Sequence, residues 1–280
     1  SSSLDLLALA EDQPLSEYIY HLIKLKKCMK IGFSEKYLSK NGYSLLRPID
    51  LPEAWAAGVT YKRQAIEHDK DLKKRGKNED LYYYVYKNER VEIFFKGLSR
   101  SIVGPGEKLW LRSDSTLVMP EAELVLIIGK KGMPVAYTLG NDLTAWDIES
   151  ECPLYLSQAK IWNGSGSIGP WIVPIETIGS PYSFDLKCIV KRNNKIVLEA
   201  SGSTSELKRS IEELCYYVNL SNKVLLGSVL FTGTTCVIDH KFGLKKKDVI
   251  EISNPLIGNL INEINIHPIE KKNYIKRNEE

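Results

Sequence analysis

The sequence predicts an α+β protein whose main domain is rich in β-strands. Short apolar runs recur along most of the chain, separated by turn residues such as Gly104-Pro105-Gly106 and Lys191-Arg192-Asn193-Asn194. Only one segment, Ser203 to Tyr217, has the apolar spacing of a convincing long helix. Many short strands combined with few helices are typical of a β-rich α+β domain.

The composition is that of an ordinary globular chain. The 280 residues are 43% apolar and 26% charged, with a formal net charge of +3, which suits one large domain and a small appendage. Basic and acidic residues interleave, so no patch predicts nucleic-acid binding. No apolar run reaches membrane-spanning length, and Ser1 to Leu9 lacks the basic start of a signal peptide. Five scattered cysteines without CxxC spacing fit a reducing compartment, so we expect a cytoplasmic protein.

Two domains are expected. Residues 1–48 predict a small N-terminal domain, with a helix in the segment EYIYHLIKLKK, where apolar residues recur at helical spacing behind a serine cap. Pro48 and Pro52 bracket the crossing into the main domain, which we assign to residues 49–280.

The main domain is predicted to begin with a strand, a helical segment and a second strand. Trp55 to Tyr61 reads as a strand with small residues that permit close packing. The charged segment after it is helical in pattern, and Gly76 divides it into two helices around a loop. Val91 to Lys96 alternates as a buried strand and places Glu92 and Lys96 on one face. Such charges in an aromatic strand indicate either an ion pair within the sheet or an active-site role.

A hairpin between two apolar runs is expected to bring three carboxylates together. Glu121 and Glu123 open the first run and, being two apart on a strand, point to one face. If Lys131-Gly132 is the two-residue tip, the register places Asp142 directly opposite Glu121. Like charges this close need a compensating cation, and three oxygen ligands without His or Cys suit Mg²⁺, with Mn²⁺ or Ca²⁺ as alternatives. The other interpretation is a pair of solvated strand-end glutamates and an aspartate in an ordinary turn.

The motifs around this hairpin resemble those of the fumarylacetoacetate hydrolase superfamily, and more narrowly its branch of 2-keto-3-deoxy-D-arabinonate dehydratase-like sugar-acid enzymes. The similar segments, in chain order, are LRPIDLPEAWAAGVTY, IVGPGEKLWLRSDS, PEAEL, AYTLGND, DIESECPLYLSQAK, GPW, LLGSVLFTGT and EISNPLIGNLIN. The resemblance implies a mixed β-roll fold, a homodimer or homotetramer, and a divalent metal held by the three carboxylates.

The same resemblance implies roles for individual residues. Lys160, which ends PLYLSQAK, matches the lysine that is essential across the superfamily, and Glu92 becomes the candidate acid/base. These two are the candidate catalytic residues. Tyr61, Lys96 and Thr234 are the candidate substrate-binding residues, and Thr234 matches a segment that contacts the substrate's carboxylate.

The chain departs from the superfamily pattern after Tyr61. Members that cleave carbon–carbon bonds have a His and a Glu, a pair that activates water, where this chain has Gln64 and Glu67. Gln64 cannot act as a base. His68 is predicted to lie one turn away on a different face, as a surface residue.

A second departure is Trp146, which stands where an arginine is typical. The tryptophan either packs in the core, the simpler interpretation, or reshapes the pocket for an unusual substrate. Glu149 is expected either to support the metal site indirectly or to be a plain surface acid, and His240 is expected to be a loop residue.

The first hypothesis is an Mg²⁺-dependent lyase acting on a small-molecule 2-keto acid, such as a 2-keto-3-deoxy sugar acid. The metal would stabilise the enolate formed when a C3 proton leaves, and loss of a C4 hydroxyl would complete a dehydration. Hydrolysis or decarboxylation of a diketo acid is the alternative, and it would need another base, such as Glu67. A metal-binding protein that has lost catalysis is the third hypothesis.

Overall fold

Two β-sheets packed face to face form the body of the protein in the computed structural model, which describes residues 14–25, 42–77 and 80–267. The strands of these residues are β1 (Glu53–Gly58), β2 (Glu92–Leu98), β3 (Ile102–Val103), β4 (Lys108–Leu111), β5 (Val118–Met119), β6 (Ala122–Ile128), β7 (Pro134–Asp142), β8 (Thr144–Ala145), β9 (Gly166–Pro174), β10 (Asp185–Arg192), β11 (Lys195–Ser203), β12 (Val229–Thr234), β13 (Val249–Asn254) and β14 (Gly258–Ile266). The helices are α1 (Leu15–Leu25), α2 (Lys62–Lys74), α3 (Leu81–Lys87), α4 (Trp146–Glu151), α5 (Leu156–Lys160) and α6 (Ile211–Asn219).

The sheets mix parallel and antiparallel neighbours. One sheet has seven strands in the order β2-β1-β12-β6-β7-β9-β3, and the other has five in the order β11-β10-β13-β14-β4. Most pairs are antiparallel, whereas β1–β12, β3–β9 and β4–β14 are parallel. The predicted β-rich α+β class is therefore confirmed.

Strand β6 runs through the middle of the core. Every residue of its sequence AELVLII is buried, as expected of a strand covered on both faces. Leu124 and Leu126 belong to the cluster that also contains Leu186 and Cys188 of the five-stranded sheet. Val125 belongs to a second cluster, on the opposite face of the seven-stranded sheet.

The N-terminal helix α1 contacts the main body. Leu15 is buried in the same apolar cluster as Ile49 and Leu51. The backbone N–H and the hydroxyl of Ser16 both donate to Glu176 Oε1, at 2.8 and 2.9 Å. The helix expected in the N-terminal part is present, and the division into domains 1–48 and 49–280 stays a prediction.

Helices α2 and α3 pack against each other. Asp69 on α2 is buried, and its carboxylate accepts hydrogen bonds from the backbone N–H groups of Tyr82 and Tyr83, at 3.0 and 2.8 Å. These bonds satisfy two donors that the first turn of α3 leaves unpaired. The two predicted helices are confirmed, and the connection at residues 78–79 lies outside the described part of the chain.

The long helix predicted for Ser203 to Tyr217 is wrong at its start. A 3₁₀ turn occupies Thr204–Glu206, and helix α6 begins at Ile211. The hydroxyl of Ser210 accepts the backbone N–H of Glu213 at 3.0 Å, which caps the helix there. Apolar spacing alone does not distinguish a helix that begins near Ser203 from one that is capped at Ser210.

Close packing around β6 and β7 makes Gly140 a sensitive position. A Cβ atom added there would lie 2.6 Å from Phe231 Cε1 and would also overlap Val125. We expect Gly140→Ala to lower the free energy of unfolding by roughly 1–3 kcal/mol, because a packed core resists extra atoms. Urea denaturation measures this change. The control is Gly243→Ala, where the nearest atom is the flexible Leu117 side chain at 3.3 Å; an equal loss in both variants would contradict the packing argument.

Candidate active site

The β6–β7 hairpin brings the three predicted carboxylates together. Ala122 pairs with Asn141, and the backbone N–H of Asp142 donates to the carbonyl of Glu121 at 3.0 Å. One oxygen from each of Glu121, Glu123 and Asp142 lies within 4.8 Å of the others. The predicted register at this end of the hairpin is confirmed.

The tip of the hairpin differs from its prediction. A bulge shifts the register near Ile128, and the backbone N–H of Gly129 donates to the carbonyl of Met133 at 2.8 Å. The turn is therefore wider than the expected two residues at Lys131-Gly132. The bulge absorbs the difference before the strands reach the carboxylates.

The carboxylate cluster lies almost entirely out of water. Glu123 is 1% exposed, and its Oε2 accepts the backbone N–H of Gly233 at 2.7 Å. Burial and the neighbouring charges of Asp142 and Glu121 raise the pKa of Glu123 well above its ordinary value. Burial also raises the pKa of Glu121 above its ordinary value, although the positive charge of Lys160 beside it acts in the opposite direction.

Lys160 links the carboxylates to each other. Its Nζ lies 2.8 Å from Glu121 Oε2 and 3.2 Å from Asp142 Oδ2, and it donates to Thr144 Oγ1 at 2.6 Å. Burial lowers the pKa of Lys160, but the nearby carboxylates outweigh it and hold that pKa well above the ordinary value. Its ammonium group is therefore charged at neutral pH.

Lys96 lies behind Asp142 and away from the cleft. Its side chain is 0% exposed, and its Nζ lies 2.5 Å from Asp142 Oδ1. The same ammonium donates to the carbonyls of Leu143, at 3.1 Å, and of Lys160. This ion pair and these two hydrogen bonds hold the ammonium inside the protein, so a substrate contact by Lys96 would require at least one of them to break.

A small, partly open cleft leads to the carboxylates. Glu92 lines it from β2, and its carboxyl lies so close to Gly58 that a Cβ there would come 2.8 Å from Glu92 Cδ. Any larger residue at this position would require the Glu92 carboxyl to move. Burial raises the pKa of Glu92, while the charge of Lys160 acts in the opposite direction.

The other two candidate substrate-binding residues are placed differently from each other. Thr234 lines the cleft, but its hydroxyl already donates to the carbonyl of Ala122 at 2.9 Å. Tyr61 does not line the cleft; it is buried, and its hydroxyl has no hydrogen-bond partner within the described residues. A direct substrate contact by Tyr61 would therefore require the side chain to move.

A buried aromatic cluster was missed by sequence reasoning. His68 Nδ1 and His240 Nε2 lie 2.8 Å apart, and both rings pack on Trp146, with centroids 4.5 and 4.3 Å away. Trp146 is buried, as its simpler interpretation predicted, and its Nε1 donates to Asp71 at 2.8 Å. The surface position predicted for His68 is wrong, since only 8% of it is exposed.

The helical spacing contains the signal for this position. Gln64 and His68 are four residues apart, which places them on the same face of α2, and both line the cleft. Burial and the neighbouring His240 lower the pKa of His68 well below its ordinary value, so the ring is neutral.

Glu149 also lines the cleft. It lies on α4, and its Oε1 accepts a hydrogen bond from the Tyr82 hydroxyl at 2.7 Å. Burial raises the pKa of Glu149 to about 7. The interpretation of Glu149 as a plain surface acid is therefore wrong.

The carboxylate cluster suits a hard divalent cation. The described residues supply three acidic oxygen donors and no sulfur or imidazole nitrogen at this point. The pKa values of Glu121 and Glu123 are raised by burial and by neighbouring negative charge, and an added positive charge would offset both effects. Buried acidic oxygens that face a cleft beside a charged lysine are typical of enzyme sites in which a metal ion polarises a bound oxygen.

Comparison with known proteins identifies the family. A family model described as fumarylacetoacetate (FAA) hydrolase C-terminal matches residues 54–265. This chain belongs to that family. No helix among the described residues is long and apolar enough to cross a bilayer.

Two curated relatives are similar over most of the chain. The 2-dehydro-3-deoxy-D-arabinonate dehydratase of Saccharolobus solfataricus is 37% identical over 84% of this chain and 77% of its own length. A protein of Haloferax volcanii named "Probable 2-keto-3-deoxyxylonate dehydratase" is 36% identical over 78% of this chain and 73% of its own length. A solved structure, 2-keto-3-deoxy-D-arabinonate dehydratase complexed with magnesium and 2,5-dioxopentanoate, matches with a TM-score of 0.79. It is 32% identical and covers 95% of this chain and 90% of that one.

Mg²⁺ is expected to stabilise the protein through Glu123. A ligand at a hundredfold over its Kd stabilises the folded state by about 2.7 kcal/mol, which corresponds to a rise in Tm of roughly 5–10 °C. Glu123→Gln removes one charge of the cluster, so we expect it to abolish this rise. In EDTA the same variant should melt at or above the wild type, because repulsion is relieved. Thermal unfolding with Mg²⁺ or EDTA measures both effects.

The matched control is Glu199→Gln, an exposed glutamate that pairs with Lys187 on the surface. It should show the full Mg²⁺ effect. A Glu123→Gln variant that Mg²⁺ stabilises as strongly as the wild type would contradict the assignment.

Proposed function

We propose that the protein is an Mg²⁺-dependent lyase that removes water from a 2-keto-3-deoxy sugar acid. The observation that carries the proposal is the buried trio Glu121, Glu123 and Asp142, which opens on a cleft lined by Lys160 and Glu92. The similarity to dehydratases of this substrate class, over more than three quarters of the chain, supports the choice of reaction.

The three carboxylates would hold the metal. When bound, the ion would act as a Lewis acid that stabilises negative charge on the 2-keto oxygen of the substrate. Mg²⁺ is preferred because the donors are all oxygens and because a similar protein is complexed with magnesium; Mn²⁺ and Ca²⁺ stay alternatives.

Glu92 is the proposed acid/base. Burial raises its pKa above that of an ordinary glutamate, which makes it a stronger base towards a substrate proton. It would remove a proton from C3 of the substrate and then return it to the C4 hydroxyl, which leaves as water. Gly58 keeps the space into which this carboxyl points.

Lys160 would stabilise the negative charge that develops during the reaction. It is charged, buried and hydrogen-bonded to Thr144, so its position is fixed before the substrate arrives. Lys96, held by Asp142 and two carbonyls, would support Asp142 from behind and make no contact with the substrate.

No described contact favours hydrolysis by a His–Glu pair. Gln64 holds the position of the histidine, and Glu67 forms an ion pair with Lys70 at 2.6 Å. Glu67 lines a neighbouring cavity, not the cleft with the carboxylates. Location in the cytoplasm, assembly as a homodimer or homotetramer, and a substrate contact by Thr234 stay predictions.

A substrate panel tests the function. We expect 2-keto-3-deoxypentonates to lose water with Mg²⁺ present and to be unchanged in EDTA, whereas diketo acids should give no cleavage products. Product analysis by NMR distinguishes dehydration from carbon–carbon cleavage. Binding without turnover of any 2-keto acid would support a protein that has lost catalysis and would refute the proposal.

Replacing Lys160 tests its role in turnover. Lys160→Met keeps much of the volume but removes the charge, so we expect kcat to fall by roughly a hundredfold or more, because a preorganised charge is lost. Steady-state kinetics with saturating Mg²⁺ measures it. Lys108→Met is the control. Lys108 is exposed, and its Nζ forms a long surface ion pair with Glu263, at 3.7 Å. Wild-type turnover by Lys160→Met would remove Lys160 from the mechanism.

A further inference from the structure

The product named for the similar enzyme implies more chemistry than the loss of one hydroxyl. A 2-keto-3-deoxypentonate has an alcohol at C5, whereas 2,5-dioxopentanoate has an aldehyde there and a methylene at C4. Elimination of the C4 hydroxyl alone leaves a C3=C4 double bond beside an unchanged C5 alcohol. C5 must therefore lose a hydrogen and C4 must gain one, and a proton-transfer group at the end of the substrate remote from the metal would catalyse both steps.

Glu149 has the geometry of such a group. It is 7% exposed, lies on α4 and lines the same cleft as Glu92 and Lys160. Its Oε1 is held by the Tyr82 hydroxyl at 2.7 Å, while its buried Oε2 has no hydrogen-bond partner within the described residues. One oxygen is thus fixed and the other is left for a ligand.

The wall that carries Glu149 is separate from the sheet that carries the metal cluster. Glu149 and Tyr82 come from α4 and α3, whereas Glu92 lies on β2 and the carboxylates lie on or next to β6 and β7. Burial raises the pKa of Glu149 to about 7, the charge of Lys160 lowers it, and Glu121 and Glu92 raise it further. A carboxyl with this pKa can both accept and return a proton at neutral pH.

Its neighbours on the same wall are less suited to this proton transfer. The His68 ring is neutral, and its Nδ1 is engaged with His240. Gln64 does not titrate, and the Tyr82 hydroxyl is committed to Glu149, with its pKa raised well above the ordinary value by burial and by Glu149.

We infer that Glu149 transfers the proton between C5 and C4 of the substrate, with Tyr82 as the residue that positions it. The inference rests on the dehydratase function proposed above and adds a second catalytic residue to it. Glu92 and Glu149 then serve different carbons of the same chain.

A series of proton transfers converts the C3=C4 ketone into the aldehyde. The Glu149 carboxylate takes a proton from C5; the C–H pair forms C4=C5, and the C3=C4 pair moves to C2=C3, leaving the charge on the 2-keto oxygen. Glu92, recharged with a proton from solvent, protonates C3 and restores the ketone. Glu149 then returns its proton to C4, and the C5 hydroxyl loses its proton to solvent as the aldehyde forms.

The test uses the Mg²⁺-loaded enzyme with 2-keto-3-deoxy-D-arabinonate in D₂O, followed by NMR. In Glu149→Gln we expect deuterium exchange at C3 to continue, the vinyl signals of the C3=C4 ketone to accumulate, and 2,5-dioxopentanoate formation to fall by roughly a hundredfold. Tyr82→Phe should give a smaller fall in the same second stage. Glu151→Gln, an exposed glutamate on the same helix, is the control.

Three outcomes would contradict these assignments. A Glu149→Gln variant that forms 2,5-dioxopentanoate at the wild-type rate overturns the inference while leaving the proposed function intact. Loss of C3 exchange together with product formation also overturns it, because the first stage should not need Glu149. A wild-type enzyme that dehydrates no 2-keto-3-deoxy acid refutes the proposed function itself, and the inference with it.

Discussion

The structure depends on five charges buried together at the end of the β6–β7 hairpin. An isolated charge in a protein interior costs several kcal/mol, yet Glu121, Glu123, Asp142, Lys96 and Lys160 are all largely removed from water. They are tolerated because two ammonium groups contact the carboxylates, and the Gly233 N–H adds a hydrogen bond. With all five groups ionised, three acids against two bases leave one negative charge in excess, and burial together with this repulsion raises the pKa of Glu123 well above its ordinary value. A bound divalent cation would neutralise that excess, which is the electrostatic argument for a metal at this point.

Much of the fold could be predicted because alternation and burial are strong local signals. The run AELVLII is apolar on both faces, so it had to be a central strand, and its two-residue period fixed which acids face each other. The hairpin tip and the start of α6 were less predictable. A bulge at Ile128 and a cap at Ser210 are decided by single hydrogen bonds that compete with the apolar pattern.

The site was predictable only where its residues are near in sequence or carry a family motif. Glu149 and Tyr82 are 67 residues apart, and His68 and His240 are 172 apart, so no local pattern joins them. The i, i+4 spacing of Gln64 and His68 did contain a usable signal. Lys96 shows a different limit of sequence reasoning. Its motif was recognised, but the motif alone does not reveal that Asp142 and two backbone carbonyls already contact its ammonium group.

The bonds from Asp69 to the start of α3 bear on how such enzymes diversify. They connect the two helices to each other, so the outer wall of the cleft is assembled apart from the sheet that carries the carboxylates. Replacements within 62–87 at positions other than Tyr82, which holds Glu149, can thus change which sugar chain is accepted while the carboxylate cluster on the sheet stays the same. The groups that select the substrate chain and the groups that would hold the metal could then vary independently.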